Sequence, residues 1–341
     1  MTNLLIGILA AAISTNQPVA LSNLVKDTTG LSVSTNAFVD PEDKELDELM
    51  HQDNLATSDV DRWIRENNDL KASGGALKAD VLNAKILSRY TTIRTGYKDF
   101  IAKHPQNTRA MLAYGSFLTD LGEEEASIAM VEKAREIDPK NPAAWNQAAN
   151  YYGHRGPITN AFIYYAKAIE LETNEAIYYQ NFATTVFLFR KDAMEFYKID
   201  EQGVFNKALE LYKKATDVDP DNFELAQDVA QTYYGIRPYR IEAALGAWTN
   251  ALRVATTEIE KEGVYIHFAR LNNNVGRTEV AKKYLSQVTN EVYDVLKNRL
   301  LRNIATEEEK QKDATTTNST SGGTNISITS PAKSPETGLA K

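Results

Sequence analysis

Residues 107–173 hold one sequence pattern written twice: NTRAMLAYGSFLTDLGEEEASIAMVEKAREIDPK over 107–140 and NPAAWNQAANYYGHRGPITNAFIYYAKAIELET over 141–173. The copies are offset by 34 residues, from 107 to 141. Equivalent positions carry similar side chains in both: Gly115 and Ala149, Ser127 and Ala161, Val131 and Tyr165, Ala134 and Ala168. A small residue at a fixed place on each of two amphipathic helices lets the helices pack closely. The period therefore predicts an all-α fold built from repeated helix pairs.

The second copy carries the more specific signature. It consists of Trp145, Ala148, Ala149 and Tyr152, followed by Ala161, Tyr165 and Ala168. This order resembles the tetratricopeptide repeat, whose pattern has Trp, Leu-Gly, Tyr, Ala, Phe and Pro at this spacing. Asp138-Pro139 closes the first copy as in that family, whereas Ala149 stands in place of Gly and Thr173 in place of Pro. The resemblance implies a right-handed α-solenoid of antiparallel helix pairs, with terminal capping helices, that binds other proteins.

Three further copies extend the predicted array of five repeats over residues 107–289. The third opens with Tyr179 and Phe182, but its second helix is displaced, because Ala208 lies 47 residues after Ala161 instead of 34. An apolar insertion therefore falls in 187–207, where we consider Phe189, Phe196 and Tyr197. Either the first helix runs on for one or two turns and packs these side chains on a neighbouring repeat, or they form an exposed recognition ridge, since insertions in repeat proteins collect on one face.

The segments flanking the array have weaker patterns. Residues 41–106 predict a helical cap and a degenerate repeat, with one short helix from Pro41, a second from Ser58, and a helix pair over 76–104. Residues 290–312 predict a C-terminal capping helix that is charged on its outer side. Residues 313–341, rich in Ser and Thr, predict a disordered tail, because they cannot bury enough apolar surface to offset the ordering entropy.

The amino terminus carries a separate signal. The apolar run from Leu4 to Ile13 is too short to cross a bilayer, and small residues follow it, so residues 1–14 predict a signal peptide and export to the periplasm or the medium. No Lys or Arg precedes the run, so an ordinary apolar segment of a cytoplasmic protein is the alternative. Residues 15–40 lack helical or strand periodicity and predict a linker.

Composition excludes several classes of function. The net charge of -8 argues against a nucleic-acid partner, and the absence of cysteine excludes disulfides and thiolate chemistry. The four histidines, at 51, 104, 154 and 267, lack partners at ligand spacing and are interpreted as surface or turn residues. No phosphate-binding loop or nucleophile elbow is present. We therefore expect no catalytic residue, metal or cofactor, no stable membrane span, and a non-enzymatic protein.

The resemblance also implies a binding face, because the first helix of each tetratricopeptide repeat lines a concave groove. The inward slots of this sequence fall at Leu112 and Ser116, Asn146 and Asn150, Gln180 and Thr184, Gln227 and Gln231, and Ile266 and Arg270. The middle slots are amides and a hydroxyl, which offer donors and acceptors to the backbone of an extended peptide. Alternatively, these polar residues only solvate an exposed helix face. Members of the family that bind acidic tails carry Lys and Arg in such slots, and here only Arg270 does.

Two functions follow from these patterns. The first is a protein-interaction scaffold that binds an extended peptide or partner protein in the groove. The second is an accessory subunit of an envelope or polymer-processing assembly, which contacts an enzyme or a glycan through the aromatic insertion.

Overall fold

The computed structural model describes residues 40–71 and 73–320, with side chains as far as 309. This part of the chain is helical and contains no strand. It divides into two units after Thr232. The first unit contains α1 (Pro41–Asp69), α2 (Ala79–Lys103), α3 (Thr108–Asp120), α4 (Glu124–Ile137), α5 (Pro142–Arg155), α6 (Ile158–Leu171), α7 (Ala176–Leu188), α8 (Arg190–Tyr197), α9 (Glu201–Val218) and α10 (Phe223–Thr232). The second contains α11 (Ile241–Val254), α12 (Glu258–Asn274), α13 (Thr278–Leu285) and α14 (Asp294–Thr320), with short 3-10 helices at Tyr233–Gly235 and Glu291–Tyr293.

The predicted all-α fold of successive helix pairs is confirmed. The pairs α3–α4, α5–α6, α7–α9 and α12–α13 pack together, and each second helix also contacts the first helix of the next pair where both lie in the first unit. The fourth predicted repeat is divided between the units, because its first helix is α10 and its second is α11.

The small residues at the repeat period lie where the helices approach most closely. A Cβ atom on Gly115 would come within 3.0 Å of Val131 Cγ2, and the Ser127 hydroxyl donates a hydrogen bond to the Gly115 carbonyl over 2.7 Å. Ala161 and Ala208 are completely buried. Side-chain size is therefore limited at these positions by the facing helix.

Substitution of Ala161 or Ala208 by leucine should lower the free energy of unfolding by about 1–3 kcal/mol, because the added atoms overpack a closed contact. Ala166 lies on the same helix as Ala161 but is exposed, so Ala166→Leu is a matched control that should change stability by less than about 0.5 kcal/mol. Urea denaturation of the three variants measures the difference. A control that loses as much stability as Ala161→Leu would contradict this placement of the repeats.

The N-terminal cap differs from its prediction. α1 is one helix of 29 residues rather than two, because buried Leu46, Met50, Ala56 and Val60 continue a single apolar stripe past Ser58. Residues 79–103 likewise form one helix rather than a pair. Leu77 and Val81, which lie in the predicted first helix of that pair, are about half exposed at 47% and 49%. The connection between the two helices is fixed by Asn67, whose Oδ1 accepts a hydrogen bond from the Leu77 amide over 2.6 Å.

The insertion and the C-terminal helix also depart from the sequence interpretation. α7 does not run on but ends at Leu188, and the insertion forms the separate helix α8. Lys198, at φ 57°, adopts the left-handed conformation that ends α8, and Asp200 caps α9 by accepting a hydrogen bond from the Gly203 amide. α14 continues to Thr320, so the first residues of the predicted tail are helical.

The remaining terminal predictions lie outside the described residues. These are the signal peptide over 1–14, the linker as far as residue 39, and the tail over 321–341. Within the described ranges, no helix combines the length and the apolar character needed to cross a bilayer.

Candidate functional site

The first helices of the pairs adjoin one another in the first unit. α1 contacts α3, α3 contacts α5, and α5 contacts α7. α7 is joined to α10 by a hydrogen bond from Gln180 Nε2 to Asp228 Oδ2 over 2.8 Å. These five helices therefore form one continuous layer, whose polar side chains we call the inner face: Asn150, Gln180, Thr184, Gln227, Asp228 and Gln231.

Asn146 was predicted to be exposed in the groove, and that prediction is wrong. The residue is completely buried, because α7 packs against α5 and brings Asn181 over it. Asn146 Oδ1 accepts a hydrogen bond from Asn181 Nδ2 over 3.2 Å. Its own Nδ2 is buried without a hydrogen-bond partner in the described part of the chain. Asn146 thus joins two repeats and does not contribute to the inner face.

Three other predicted groove residues are held by neighbouring helices. Asn150 Oδ1 accepts a hydrogen bond from the Tyr165 hydroxyl over 2.6 Å, and the hydroxyls of Thr184 and Tyr212 are 2.8 Å apart. Gln180 donates to Asp228, as described above. Asn150, Gln180 and Thr184 are all partly buried. The inner face is therefore an ordered polar network and not a row of freely solvated side chains.

Gln227 and Gln231, on α10, are less constrained. Gln231 is exposed and Gln227 is partly exposed, and the structure shows no hydrogen bond for either amide within the described residues. At the other end of the layer, Leu112 is buried and Ser116 is partly exposed. Of the predicted groove residues in the first unit, Gln231 on α10 is thus the exposed one.

Asp228 is a functional candidate that the sequence interpretation missed, because it lies one residue beyond the slot at Gln227. Burial raises the pKa of its carboxyl, and the hydrogen bond from Gln180 partly offsets that effect. The Asp120 side chain, at the end of α3, is exposed. The surrounding protein still displaces part of the water around its carboxyl group, which raises the pKa of that group to about 6. Arg109 is engaged by Asp43 and Asp47 of α1. Within the part of the chain that the structure describes, neither Asp228 nor Asp120 is paired with a cation.

The last predicted groove residues belong to the second unit. Ile266 is buried, whereas Arg270 is exposed, with its guanidinium 4.5 Å from the centre of the Tyr234 ring. His267, interpreted from sequence as a surface or turn residue, is instead packed flat on Trp248 at 3.9 Å, and its Nδ1 lies 2.9 Å from the Tyr234 hydroxyl. Burial, with a smaller effect of Arg270, lowers the pKa of His267 to about 3.

The insertion carries three large apolar side chains that are exposed. Leu188, Phe189 and Phe196 are 51%, 36% and 38% exposed, and we call them the insertion surface. Tyr197, predicted to belong to the ridge, instead packs on Phe162 with ring centres 5.7 Å apart and beneath the Lys207 ammonium. Phe196 also contacts Phe162, at 5.4 Å. Of the predicted ridge residues, Phe189 and Phe196 are therefore exposed, whereas Tyr197 packs on α6.

Comparison with known proteins identifies the repeats. A family model described as the tetratricopeptide repeat matches residues 108–141, the pair formed by α3 and α4. The chain thus contains a tetratricopeptide repeat. The match falls on the first of the two sequence copies, and the second copy begins at residue 141, directly before α5.

Three solved structures are similar to this chain at low sequence identity. PilW, described as a type IV pilus biogenesis factor, is 14% identical, with a TM-score of 0.50, over 73% of this chain and 98% of its own. PilF of Pseudomonas aeruginosa is 12% identical, with a TM-score of 0.48, over 73% and 99%. YrrB, described as having an unusual peptide-binding site, is 14% identical, with a TM-score of 0.43, over 60% and 97%. No curated protein matches the sequence.

The family gives the general character of proteins built from tetratricopeptide repeats. Such proteins are generally non-enzymatic scaffolds, and their fold implies protein partners. Among the described residues, no group of three or more His, Cys, Asp and Glu side chains is placed to hold a metal ion.

Proposed function

We propose that the first unit binds an extended polypeptide segment along its inner face. The proposal rests on two amide side chains, Asn150 and Gln180, in which one polar atom is hydrogen-bonded within the protein and the other is not. Asn150 Oδ1 and Gln180 Nε2 are engaged by Tyr165 and Asp228, whereas the structure shows no partner for Asn150 Nδ2 or Gln180 Oε1 in the described residues. A bound peptide backbone can use both remaining groups, because it presents carbonyl acceptors and amide donors in turn.

Fixing the side chains in advance favours binding. A free glutamine or asparagine loses rotamer freedom when it binds, at a cost of about 0.5–1.5 kcal/mol for each immobilised side chain. Asn150 and Gln180 have already lost much of that freedom during folding, through the bonds to Tyr165 and Asp228. Each hydrogen bond to a peptide should therefore contribute more net affinity than one from an unrestrained amide.

The charge of the inner face restricts the partner. Asp228 on the inner face and Asp120 at the end of α3 form no ion pair with any described residue, and Arg109 is engaged by Asp47. Like charges placed together at an interface disfavour association. The bound segment should accordingly be neutral or basic, unlike the acidic tails recognised by some relatives.

Capture from the native host tests the proposal. Immobilised parent chain would be compared with a variant carrying Asn150→Arg and Gln231→Arg, which block the inner face, and with Lys213→Glu, an exposed change on α9. We expect mass spectrometry to find a polypeptide retained by the parent and by Lys213→Glu but lost from the blocked variant. A partner retained equally by all three chains would contradict binding at the inner face.

The insertion surface supports a second candidate function, in which an enzyme or a glycan of an envelope or polymer-processing assembly docks on exposed aromatic residues. Leu188→Ser with Phe189→Ser should then weaken binding of the captured partner by more than about 1 kcal/mol per contact residue, while stability changes little. Ile163→Ser, at an exposed position on α6, is the matched control. Isothermal titration with the captured partner distinguishes the inner face from the insertion surface. If the variant with Leu188→Ser and Phe189→Ser binds with unchanged affinity, the insertion surface is not the binding site.

Export is a further proposal, motivated by the apolar run from Leu4 to Ile13. Intact-mass measurement of protein isolated from the host should show that residues 1–14 have been removed. A cytoplasmic chain that retains Thr2 to Ser14 would contradict export.

A further inference from the structure

One carboxylate of the inner face lies between helices without a cation beside it. Asp228, on α10, is partly buried and forms no ion pair within the part of the chain that the structure describes. Its Oδ2 atom accepts a hydrogen bond from Gln180 Nε2 of α7 over 2.8 Å. No described residue donates a hydrogen bond to its Oδ1 atom. One oxygen atom of the carboxylate is therefore left for another donor.

Other partly buried carboxylates of the first unit have a cation that offsets the loss of water. Asp47 pairs with Arg109, and Asp59 Oδ2 lies 3.3 Å from Arg89 Nε. At Asp228, burial and one neutral hydrogen bond alone account for the raised pKa, so no charged residue of the described chain lies close enough to contribute. Burying a carboxylate without a cation costs free energy. A cation carried by a bound molecule would supply the partner that the protein does not.

The polar groups around Asp228 are neutral and offer further acceptors. The hydroxyls of Thr184 on α7 and Tyr212 on α9 are 2.8 Å apart. Burial, with a smaller effect of the Asp228 charge, raises the pKa of Tyr212 to about 12, so this hydroxyl stays neutral. The Gln180 side chain directs its nitrogen at Asp228, which leaves its carbonyl oxygen open. Three helices thus bring together one carboxylate and several neutral oxygen atoms, a set that favours a positively charged donor.

Asp228 lies where a peptide on the inner face would pass. Gln231 is exposed and comes three residues later on α10, so the two side chains share one side of that helix. Gln180 and Thr184 share one side of α7 in the same way, four residues apart. An extended backbone bonded to Gln180 and Gln231 points alternate side chains to opposite sides. A side chain on the protein side can reach Asp228 if it is long and ends in a charge, as in lysine and arginine.

We propose that Asp228 recognises a lysine or arginine side chain of the bound polypeptide, by accepting a charge-assisted hydrogen bond at its Oδ1 atom. The inference rests on the peptide binding proposed above for the inner face, and it adds the type of residue that the face selects. A neutral side chain at the same place would cover the carboxylate and leave it unpaired, which disfavours the wrong segment. Asp228 is thus the specificity-determining residue of the inner face.

Selection from a library of random linear peptides displayed on phage tests this role without knowledge of the natural partner. The selecting chains are the parent, Asp228→Asn, Asp228→Lys and Asp217→Lys. Asp217 is an exposed aspartate on α9, so Asp217→Lys is the control for the change of net charge. Peptides enriched by the parent and by Asp217→Lys should share one position that holds lysine or arginine. Asp228→Asn should lose this preference, and Asp228→Lys should select aspartate or glutamate at the same position.

Isothermal titration with one synthetic peptide from the parent selection measures the size of the effect. Replacing its shared basic residue by methionine should weaken binding to the parent at least about tenfold, because a charge-assisted hydrogen bond is lost. The same replacement should change binding to Asp228→Asn much less. Asparagine can still accept the hydrogen bond from Gln180, so this variant should fold, and circular dichroism melts verify it. If Asp228→Lys does not fold, the comparison with Asp228→Asn decides.

Two results would overturn the role of Asp228, and they differ in what they imply for the inner face. A parent chain that enriches no peptide contradicts peptide binding at the inner face and the role of Asp228 with it. Peptides that bind the parent but not the variant with Asn150→Arg and Gln231→Arg support binding at the inner face. If such peptides share no basic position, or if Asp228→Asn keeps the same preference, only the role of Asp228 is contradicted.

Discussion

Replacement of Asn150, Gln227 and Gln231 by alanine in one chain is expected to weaken binding of the peptide partner by about 1.5–4.5 kcal/mol. The figure takes each amide bonded to a peptide backbone as contributing about 0.5–1.5 kcal/mol net. Stability should fall by about 1–3 kcal/mol, because the buried Tyr165 hydroxyl loses its acceptor on Asn150, whereas Gln227 and Gln231 have no bond to lose within the described residues. Isothermal titration and thermal melts give the two quantities.

The control for this variant is Asn146→Ala. Because Asn146 is buried and accepts a hydrogen bond from Asn181, its removal should lower the free energy of unfolding by about 1–3 kcal/mol while binding is retained by the folded chain. The Gln227 and Gln231 double variant should show the opposite pattern, with lost affinity and an unchanged melting temperature. If all three variants bind as tightly as the parent, the inner face is not the binding site and the insertion surface becomes the better candidate.

The repeat period could be read from the sequence because it depends on local packing. A small residue such as Ala161 or Ser127 is required wherever two helices meet, so its recurrence marks each pair regardless of what the chain binds. Exposure within the groove could not be read in this way. Asn146 and Asn150 occupy equivalent kinds of slot, yet only Asn146 is covered, since the covering residue, Asn181, comes from the next repeat.

The errors in the sequence interpretation have a shared physical origin. Ser58 can cap a helix, but the buried stripe from Leu46 to Val60 packs on α2, and this tertiary packing overrides the local cap signal. Likewise, His267 lacks a partner in sequence, whereas Tyr234 and Trp248 come from elements far along the chain. Contacts between distant segments determine both outcomes, and a local pattern does not encode them.

His267 should make the second unit sensitive to acid. Its pKa is about 3 in the folded chain, against an ordinary value of 6.5, because the buried ring disfavours the charged form. Below pH 6.5 the unfolded chain therefore binds a proton that the folded chain does not. The stabilising contribution is complete above pH 6.5 and is lost as the pH falls toward 3. The slope in this window is about 1.4 kcal/mol per pH unit.

Asp53 changes the free energy of unfolding with pH in the opposite direction to His267. Burial raises its pKa to about 7 despite the hydrogen bond from the Tyr97 hydroxyl, so between pH 3.8 and about 7 the folded chain holds a proton that the unfolded chain has released. Its contribution to stability consequently decreases as the pH rises through that range. The pH profile of the parent chain combines both effects, and the contribution of His267 must be isolated by comparing variants.

Urea denaturation of the parent and of His267→Gln at pH 7.5 and 4.5 isolates the contribution of His267 to the pH dependence of stability. Glutamine can still bond to Tyr234 but cannot take up a proton, so the parent should lose about 2.5 kcal/mol more than the variant between these two pH values. His154→Gln is the matched control, because His154 is exposed and its removal should leave the pH dependence of the parent unchanged. If the parent and His267→Gln lose stability equally on acidification, His267 is protonated as readily in the folded chain as in the unfolded one, which would contradict its burial between Trp248 and Tyr234.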